Sequence, residues 1–259
     1  MDCEDPISRS GSIKTDDHLL GGRVKLAQPA AGYRVAIDPV LLAAAVPAAA
    51  GERILDAGCG TAAAALCLAA RTPDCGLTGV ELNAELAALA RINVGANGFE
   101  GRLAIVEVAF EAYAAENAGT FDQVITNPPF YAEGRHTRSP EGTRATAHGE
   151  AGLTLAAWVK AAAIALKAAG RLTIIHRADR LDELLAAFTG RFGAALIFPL
   201  WPRAGVEAKR VIVSAVKGRR TPPRLMPGLA LHEADGAYTA VAEAILRDGA
   251  ALDLTMGCE

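Results

Sequence analysis

Residues 121–134, FDQVITNPPFYAEG, hold the most unusual arrangement of chemical groups in the chain. Phe121, Val124, Ile125 and Thr126 read as a buried strand. Asn127, Pro128, Pro129 and Phe130 stand where a helix should begin. Two adjacent prolines fix two φ angles and remove two backbone donors, so the strand ends in a rigid elbow. The side-chain oxygen of Asn127 and the carbonyl of Pro128 are both hydrogen-bond acceptors. Two acceptors on one elbow suit a planar –NH2 group, and Phe130 or Tyr131 can stack on the ring that carries it. Chemistry of this kind needs no strong base. It needs an amine held in line with a good electrophile, and positioning supplies much of the acceleration. In isolation a Pro-Pro turn after a strand is ordinary, so the elbow needs company.

That company lies upstream, in LDAGCGTA. Gly58 and Gly60 permit a sharp turn and close approach of the backbone to a ligand, and the next helix offers its N-terminal amides. A dinucleotide loop would carry a third glycine three residues after Gly60, but Ala63 stands there, and Asp56 precedes the glycines. An acid beside the loop is awkward for a pyrophosphate and useful for a cationic, amine-bearing ligand. Glu81 ends the next strand, where an acid accepts hydrogen bonds from ribose hydroxyls. Taken singly, Asp56 reads equally as a helix cap and Glu81 as a surface acid. Together, at consecutive strand ends, they indicate an adenosyl ligand with an amino acid and no phosphate: S-adenosylmethionine.

The elements that must position these groups alternate along the chain. ERILDAG, GLTGVEL, GRLAIVEVAF, FDQVITN, RLTIIHR, AALIFPLWP and RVIVSAVKG read as strands. TAAAALCLAARTP, NAELAALARINVGANG, LTLAAWVKAAAIALKAAG and ADRLDELLAAFTG read as helices, while EAYAAENAGT is less regular. Short apolar strands alternating with helices predict an α/β doubly wound, mostly parallel sheet. The expected organisation is a disordered tail over 1–17, an N-terminal arm and lid helix over 18–50, a core over 51–220 and a C-terminal appendage over 221–259. In the arm, HLLGGRVKLAQPAAGYRV reads as a hairpin, and Asp38 is expected to cap a helix with Pro39 at its first position. The Pro-rich GRRTPPRLMPG is expected to end the sheet.

Composition narrows the class. Of the 259 residues 51% are hydrophobic but only 5% aromatic, so the core rests on Ala, Leu, Val and Ile. A net charge of -3 carries no global nucleic-acid signal, so any polyanion must meet a local patch. The five cysteines form no Cys-x-x-Cys pair, which argues for reduced thiols in a cytosol and against structural zinc. MDCEDPISRSGSIKTDD lacks the apolar core of a signal peptide, and no apolar run reaches membrane-span length. A soluble cytoplasmic protein without a resident metal is expected. Oligomeric state, monomer or homodimer, is left open.

DAGCGT, VELN and NPPF resemble the motifs of class I S-adenosylmethionine-dependent amino methyltransferases. Longer stretches, GYRVAIDPVLLAA, GRLTIIHRADRLDELL, PRAGVEAKRVIV and HEADGAYT, are similar to the bacterial tRNA adenine-N6-methyltransferases that modify adenine 37 of a valine tRNA. The resemblance implies a Rossmann-like, seven-stranded sheet with an antiparallel last strand. It also implies N6-methylation of adenine in tRNA, with S-adenosylmethionine as cofactor. Asp56, Gly58, Cys59, Gly60 and Thr61 would form the methionine-side loop, and Glu81 with Leu82 the ribose side. Asn127, Pro128, Pro129 and Phe130 would hold the target base, Asn127 also bordering the cofactor. Tyr33, Arg34 and Asp38 match the upstream lid. Two positions depart from the pattern: Ala109 replaces the acid that bonds the cofactor adenine, leaving backbone groups or Phe110, and Ala62 stands where glycine is usual. The same chemistry on guanine N2 of rRNA or on a glutamine side chain is the nearest alternative. A nicotinamide-dependent oxidoreductase and a non-catalytic RNA-binding module are the alternatives of other classes.

Two basic segments are candidates for RNA contact. Arg135, His136, Arg138, Arg144 and His148 follow the elbow. Arg203, Lys209, Arg210, Lys217, Arg219, Arg220 and Arg224 accompany a single acid, Glu207, further on. A charge run is often a solvated face, but two in an acidic chain, one beside the elbow, favour phosphate contact.

Overall fold

The computed structural model describes residues 14–29, 35–128 and 153–256. An N-terminal hairpin pairs β1 (Lys14–Leu19) with β2 (Val24–Pro29). Lys14 to Asp17 therefore belong to a strand and not to the expected tail. Asp17 is tied across the hairpin by Gln28, whose Nε2 donates to its carboxylate at 2.9 Å. Helix α1 (Asp38–Ala44) follows. Asp38 is its first residue and not its cap, which is Ile37, because the Asp38 carboxylate accepts from Arg210 Nε at 2.8 Å.

The alternating region runs β3 (Arg53–Ala57), α2 (Ala63–Arg71), β4 (Gly76–Glu81), α3 (Ala84–Ala96), β5 (Leu103–Glu107), α4 (Phe110–Glu116) and β6 (Phe121–Thr126). It continues through α5 (Leu155–Ala165), β7 (Leu166–Arg177), α6 (Leu181–Phe188), β8 (Phe192–Arg203) and β9 (Arg210–Lys217). Asn83 caps α3 by accepting from Glu85 N and Leu86 N, and Thr154 caps α5 by accepting from Ala157 N. Helix α5 is shorter than its Ala-rich sequence predicts. Leu166 is extended and pairs with Phe121, and Ala169, at φ 58°, lies in the irregularity that moves the register on to Arg171 opposite Gln123.

The sheet order is β5-β4-β3-β6-β7-β9-β8, parallel except for β9, which is antiparallel to both neighbours. The seven expected strands are thus present in a doubly wound order that reverses between β3 and β6. Two short strands, β10 (Arg224–Leu225) and β11 (Leu229–His232), then extend it to nine. The Pro-rich segment therefore does not end the sheet: the free side of the twelve-residue β8 still offers donors and acceptors, and both strands pair with it in parallel. Helix α7 (Ala240–Asp248) closes the described chain.

The helices cover both faces. On one, α1, α2 and α7 with the hairpin bury Leu26, Leu41, Leu42, Leu66, Leu68 and Ile245 against the sheet. On the other, α4, α5 and α6 bury Phe110, Trp158, Val159, Leu184 and Phe188. Alanines at the helix contacts let α2 and α5 lie close to the strands, which is why so few aromatic rings suffice. None of the described helices is long and apolar enough to cross a membrane.

Candidate active site

Because β3, β4, β6 and β7 are parallel, Ala57, Glu81 and Thr126 bring their following loops to one edge of the sheet. The crevice lies at the β3/β6 reversal, where open α/β sheets bind ligands. Gly58 and Gly60 turn the loop after β3 with φ of 68° and 56°. Ala62 adopts φ 66°, a left-handed conformation costly for an L-residue, so the departure from glycine leaves the backbone path unchanged and adds strain. Nothing lies within 4 Å of where a Gly60 Cβ would sit, so this face of the loop is open.

Glu81 clamps the loop. One carboxylate oxygen accepts from Gly60 N at 2.8 Å and the other from Asn83 N at 2.8 Å. Leu82, the next residue, is 63% exposed, an apolar surface left bare at the strand tip. Asp56 is buried beneath the loop, and its carboxylate accepts from Ala65 N in the first turn of α2 at 3.2 Å. The capping role weighed for Asp56 is therefore present in the geometry. Burial pushes its carboxyl from the ordinary 3.8 up to about 7, against the Ala65 N–H and with help from the Glu81 charge. Burial, together with Asp56 and Glu81, also lifts the Cys59 thiol well above its usual range, so it stays protonated and is no nucleophile.

The raised Asp56 has a consequence for stability. A carboxyl that binds its proton more tightly folded than unfolded disfavours the folded state as pH climbs from 3.8 to about 7, and the penalty levels off above that. Asp56→Asn keeps an acceptor for Ala65 N without the charge. It is expected to be more stable than wild type by a margin that is small at about pH 4 and largest at about pH 8, read by urea denaturation. An equal margin at both would show that folding leaves the Asp56 carboxyl unperturbed.

At the elbow, Thr126 and Pro128 are buried, and the side-chain oxygen of Asn127 is buried without a hydrogen-bond partner. The Thr61 hydroxyl in the opposite loop is in the same state. Unsatisfied buried polar atoms cost about 1–3 kcal/mol each, and two of them in the loops after β3 and β6 call for partners from outside the chain. The open loop, bare Leu82, the Glu81 carboxylate at the strand end and orphaned Thr61 together fit an adenosyl amino acid. Among the described residues no three His, Cys, Asp or Glu side chains gather as metal ligands would.

The remaining expected site residues divide. Phe110 begins α4, but its ring is 4% exposed and packs on Trp158 at 5.2 Å, leaving little surface for a cofactor ring. Ala109 immediately precedes α4 in extended conformation. Tyr33, Arg34, Pro129, Phe130, Arg135, Arg138, Arg144 and His148 lie outside the described residues. Lys209 and Arg210 sit at the start of antiparallel β9 and hence at the crevice edge. Arg219 and Arg220 do not: they follow the far end of β9, about 25 Å away at 3.3 Å per residue, where Arg219 O crowds Gly193. Arg177 and Arg203, which end β7 and β8, share the edge with Arg210, and only sheet topology reveals that. Much of this charge is already engaged, since Arg177 pairs with Asp179, Lys209 with Glu207 and Arg210 with Asp38.

Strand order, the turn after β3, the acid that ends β4 and the elbow after β6 together define a class I, Rossmann-like methyltransferase. Residues 34–193, more than half of the chain, match the methyltransferase small domain family, and the chain belongs to that family. The tRNA1(Val) (adenine(37)-N6)-methyltransferase of Aeromonas hydrophila is 31% identical over 209 residues, covering 80% of this chain and 85% of its own length. Its namesake from Porphyromonas gingivalis W83 is 33% identical over 195 residues, covering 71% and 75%. Among solved structures, a predicted O-methyltransferase from Agrobacterium tumefaciens superposes with a TM-score of 0.70 at 28% identity, covering 83% of this chain and 98% of its own. A SAM-dependent O-methyltransferase from Thermotoga maritima shares the fold at a TM-score of 0.54 and 17% identity, covering 73% and 68%.

Proposed function

We propose that this protein transfers a methyl group from S-adenosylmethionine to the exocyclic N6 amine of adenine in tRNA, with adenine 37 of a valine tRNA as target. The observation that carries this reading is the buried, partnerless side-chain oxygen of Asn127. The names of the relatives supply the tRNA and the position. An orphaned acceptor calls for a donor. With the Pro128 carbonyl it would make two acceptors for the two N–H groups of an amine, whereas a hydroxyl has only one hydrogen to give.

Bound at the loop, S-adenosylmethionine supplies an electrophilic methyl on a positively charged sulfur. Gly58, Gly60, Thr61 and the Glu81 carboxylate would hold it, and Leu82 would offer an apolar face for its base. Asn127 and Pro128 accept the two amine hydrogens, which aims the nitrogen lone pair and disperses the positive charge that grows on nitrogen. The amine then gives up its extra proton to solvent. Cys59 takes no covalent part, being a buried, protonated thiol.

Incubation with labelled S-adenosylmethionine and total tRNA, followed by nucleoside mass spectrometry, is expected to give N6-methyladenosine. A purified valine tRNA with guanine in place of adenine 37 should then accept nothing. Label in N2-methylguanosine of rRNA or in protein glutamine, with none in tRNA adenine, would overturn the substrate assignment.

A further inference from the structure

The α5 residue Trp158 is only 8% exposed, and it reaches the ends of the two strands that flank the crevice, β3 and β6. Its Nε1 donates to Thr126 Oγ1 at 2.9 Å, and that hydroxyl donates onward to Ala57 O at 2.7 Å. Thr126 is the last residue before Asn127, and Ala57 the last before Gly58; the two are register partners across β3 and β6. The edge of the same indole lies under Gly58, where a Cβ would come within 3.0 Å of two ring atoms. Its other neighbour is Phe110, the first residue of α4, at 5.2 Å between centroids. A buried indole N–H needs some acceptor, and core packing alone would be content with any backbone carbonyl. Here the acceptor is a hydroxyl that itself bridges the two strands at the point where their loops diverge.

Given the methyl-transfer reading above, we infer that Trp158 is a positioning residue: through Thr126 and Gly58 it fixes the spacing between the loop that holds the methyl donor and the elbow that holds the acceptor amine. The Thr126 hydroxyl has one proton and two lone pairs, so accepting from Trp158 and donating to Ala57 sets its rotamer. The backbone leading into Asn127 is thereby tied to the backbone leading into Gly58. Neither contact reaches the cofactor or the base directly, so the residue acts on transfer geometry and not on affinity. A displacement of about 1 Å between reacting atoms costs up to roughly a hundredfold in rate.

Trp158→Phe keeps an aromatic ring in α5 and removes the N–H; Thr126→Val keeps the shape and removes the hydroxyl. Each is expected to lower kcat for tRNA about 10- to 100-fold, with the KM for S-adenosylmethionine and the calorimetric Kd for S-adenosylhomocysteine within about twofold of wild type. The double variant should be no worse than the poorer single one, and Thr126→Ser should recover most of the rate. Unchanged kcat in both variants, or a loss confined to KM, would overturn the inference. A readout in the intact site comes from Trp201→Phe, which leaves Trp158 as the sole tryptophan of the two in the chain. Its emission should shift when S-adenosylhomocysteine binds, because the indole lies against the loop. An unmoved spectrum alongside calorimetrically measured binding would overturn the inference even if the other variants fail to fold. If wild type methylates no tRNA while the emission shifts, the substrate reading fails and the contact of Trp158 with the cofactor loop stands.

Discussion

Replacing Asn127 with alanine is expected to lower kcat for tRNA by about a thousandfold while leaving the Kd for S-adenosylhomocysteine within about threefold of wild type. The magnitude follows from removing one preorganised dipole aimed at a developing charge, which typically costs 10²–10³ in kcat. The split follows from the structure. Glu81 reaches Gly60 and Asn83, Asp56 reaches Ala65, and none of these bonds involves the Asn127 side chain. Its oxygen has no hydrogen-bond partner, so its removal breaks no hydrogen bond of that oxygen and even relieves the burial of an unsatisfied acceptor. Stability should therefore hold or rise slightly in thermal unfolding, which separates lost catalysis from lost fold. Loss of cofactor affinity in parallel with kcat would mean that Asn127 serves chiefly the cofactor.

What could be read from sequence here, and what could not, divides along a physical line. Asp56, Gly58, Gly60 and Glu81 are legible because each stands a fixed step from a strand end, and the alternation of strands and helices says which ends share an edge. Asn127 is legible because two prolines after a strand leave few conformations. Trp158 is not legible: a tryptophan in an Ala-rich helix looks like core, and only the return of α5 across the sheet puts its ring beneath Gly58. Asn93, buried in α3, is similar. It bonds both N and O of Ala27 in the hairpin and the Thr61 carbonyl of the cofactor loop, a link between residues far apart in sequence.

Charge was the least legible property. The run from Arg203 to Arg224 is continuous in sequence, but β9 is antiparallel and separates Arg210 from Arg219 by its whole length. In the half that reaches the crevice edge, Lys209 pairs with Glu207 and Arg210 with Asp38, and the neighbouring Arg177 pairs with Asp179. Phosphates would have to exchange with those acids, so the gain per contact is smaller than the number of arginines suggests. Phosphate contacts at this edge therefore gain less from bulk electrostatics than the sequence of the segment suggests.

The second large effect is expected at Glu81, and in the opposite kinetic parameter. Glu81→Ala removes the acceptor for Gly60 N and Asn83 N, together with the group proposed above to hold the cofactor, for which two ribose hydroxyls are the expected donors. Hydrogen bonds to an ionised carboxylate contribute about 1.5 kcal/mol or more each, so losing the two to ribose amounts to about 3 kcal/mol, or roughly a hundredfold in Kd. Loosening of the Gly58–Gly60 turn adds to that loss, because the backbone amides it presents are no longer held in place before the ligand arrives. Calorimetry with S-adenosylhomocysteine should show this weakening, while kcat at saturating cofactor stays within about tenfold, since Asn127 and the elbow are untouched. Glu81→Gln retains one acceptor and should fall between wild type and alanine. A lowered melting temperature with unchanged Kd would reduce Glu81 to a structural clamp, and the ribose would then have to find its acceptor elsewhere along the carboxyl edge of the sheet.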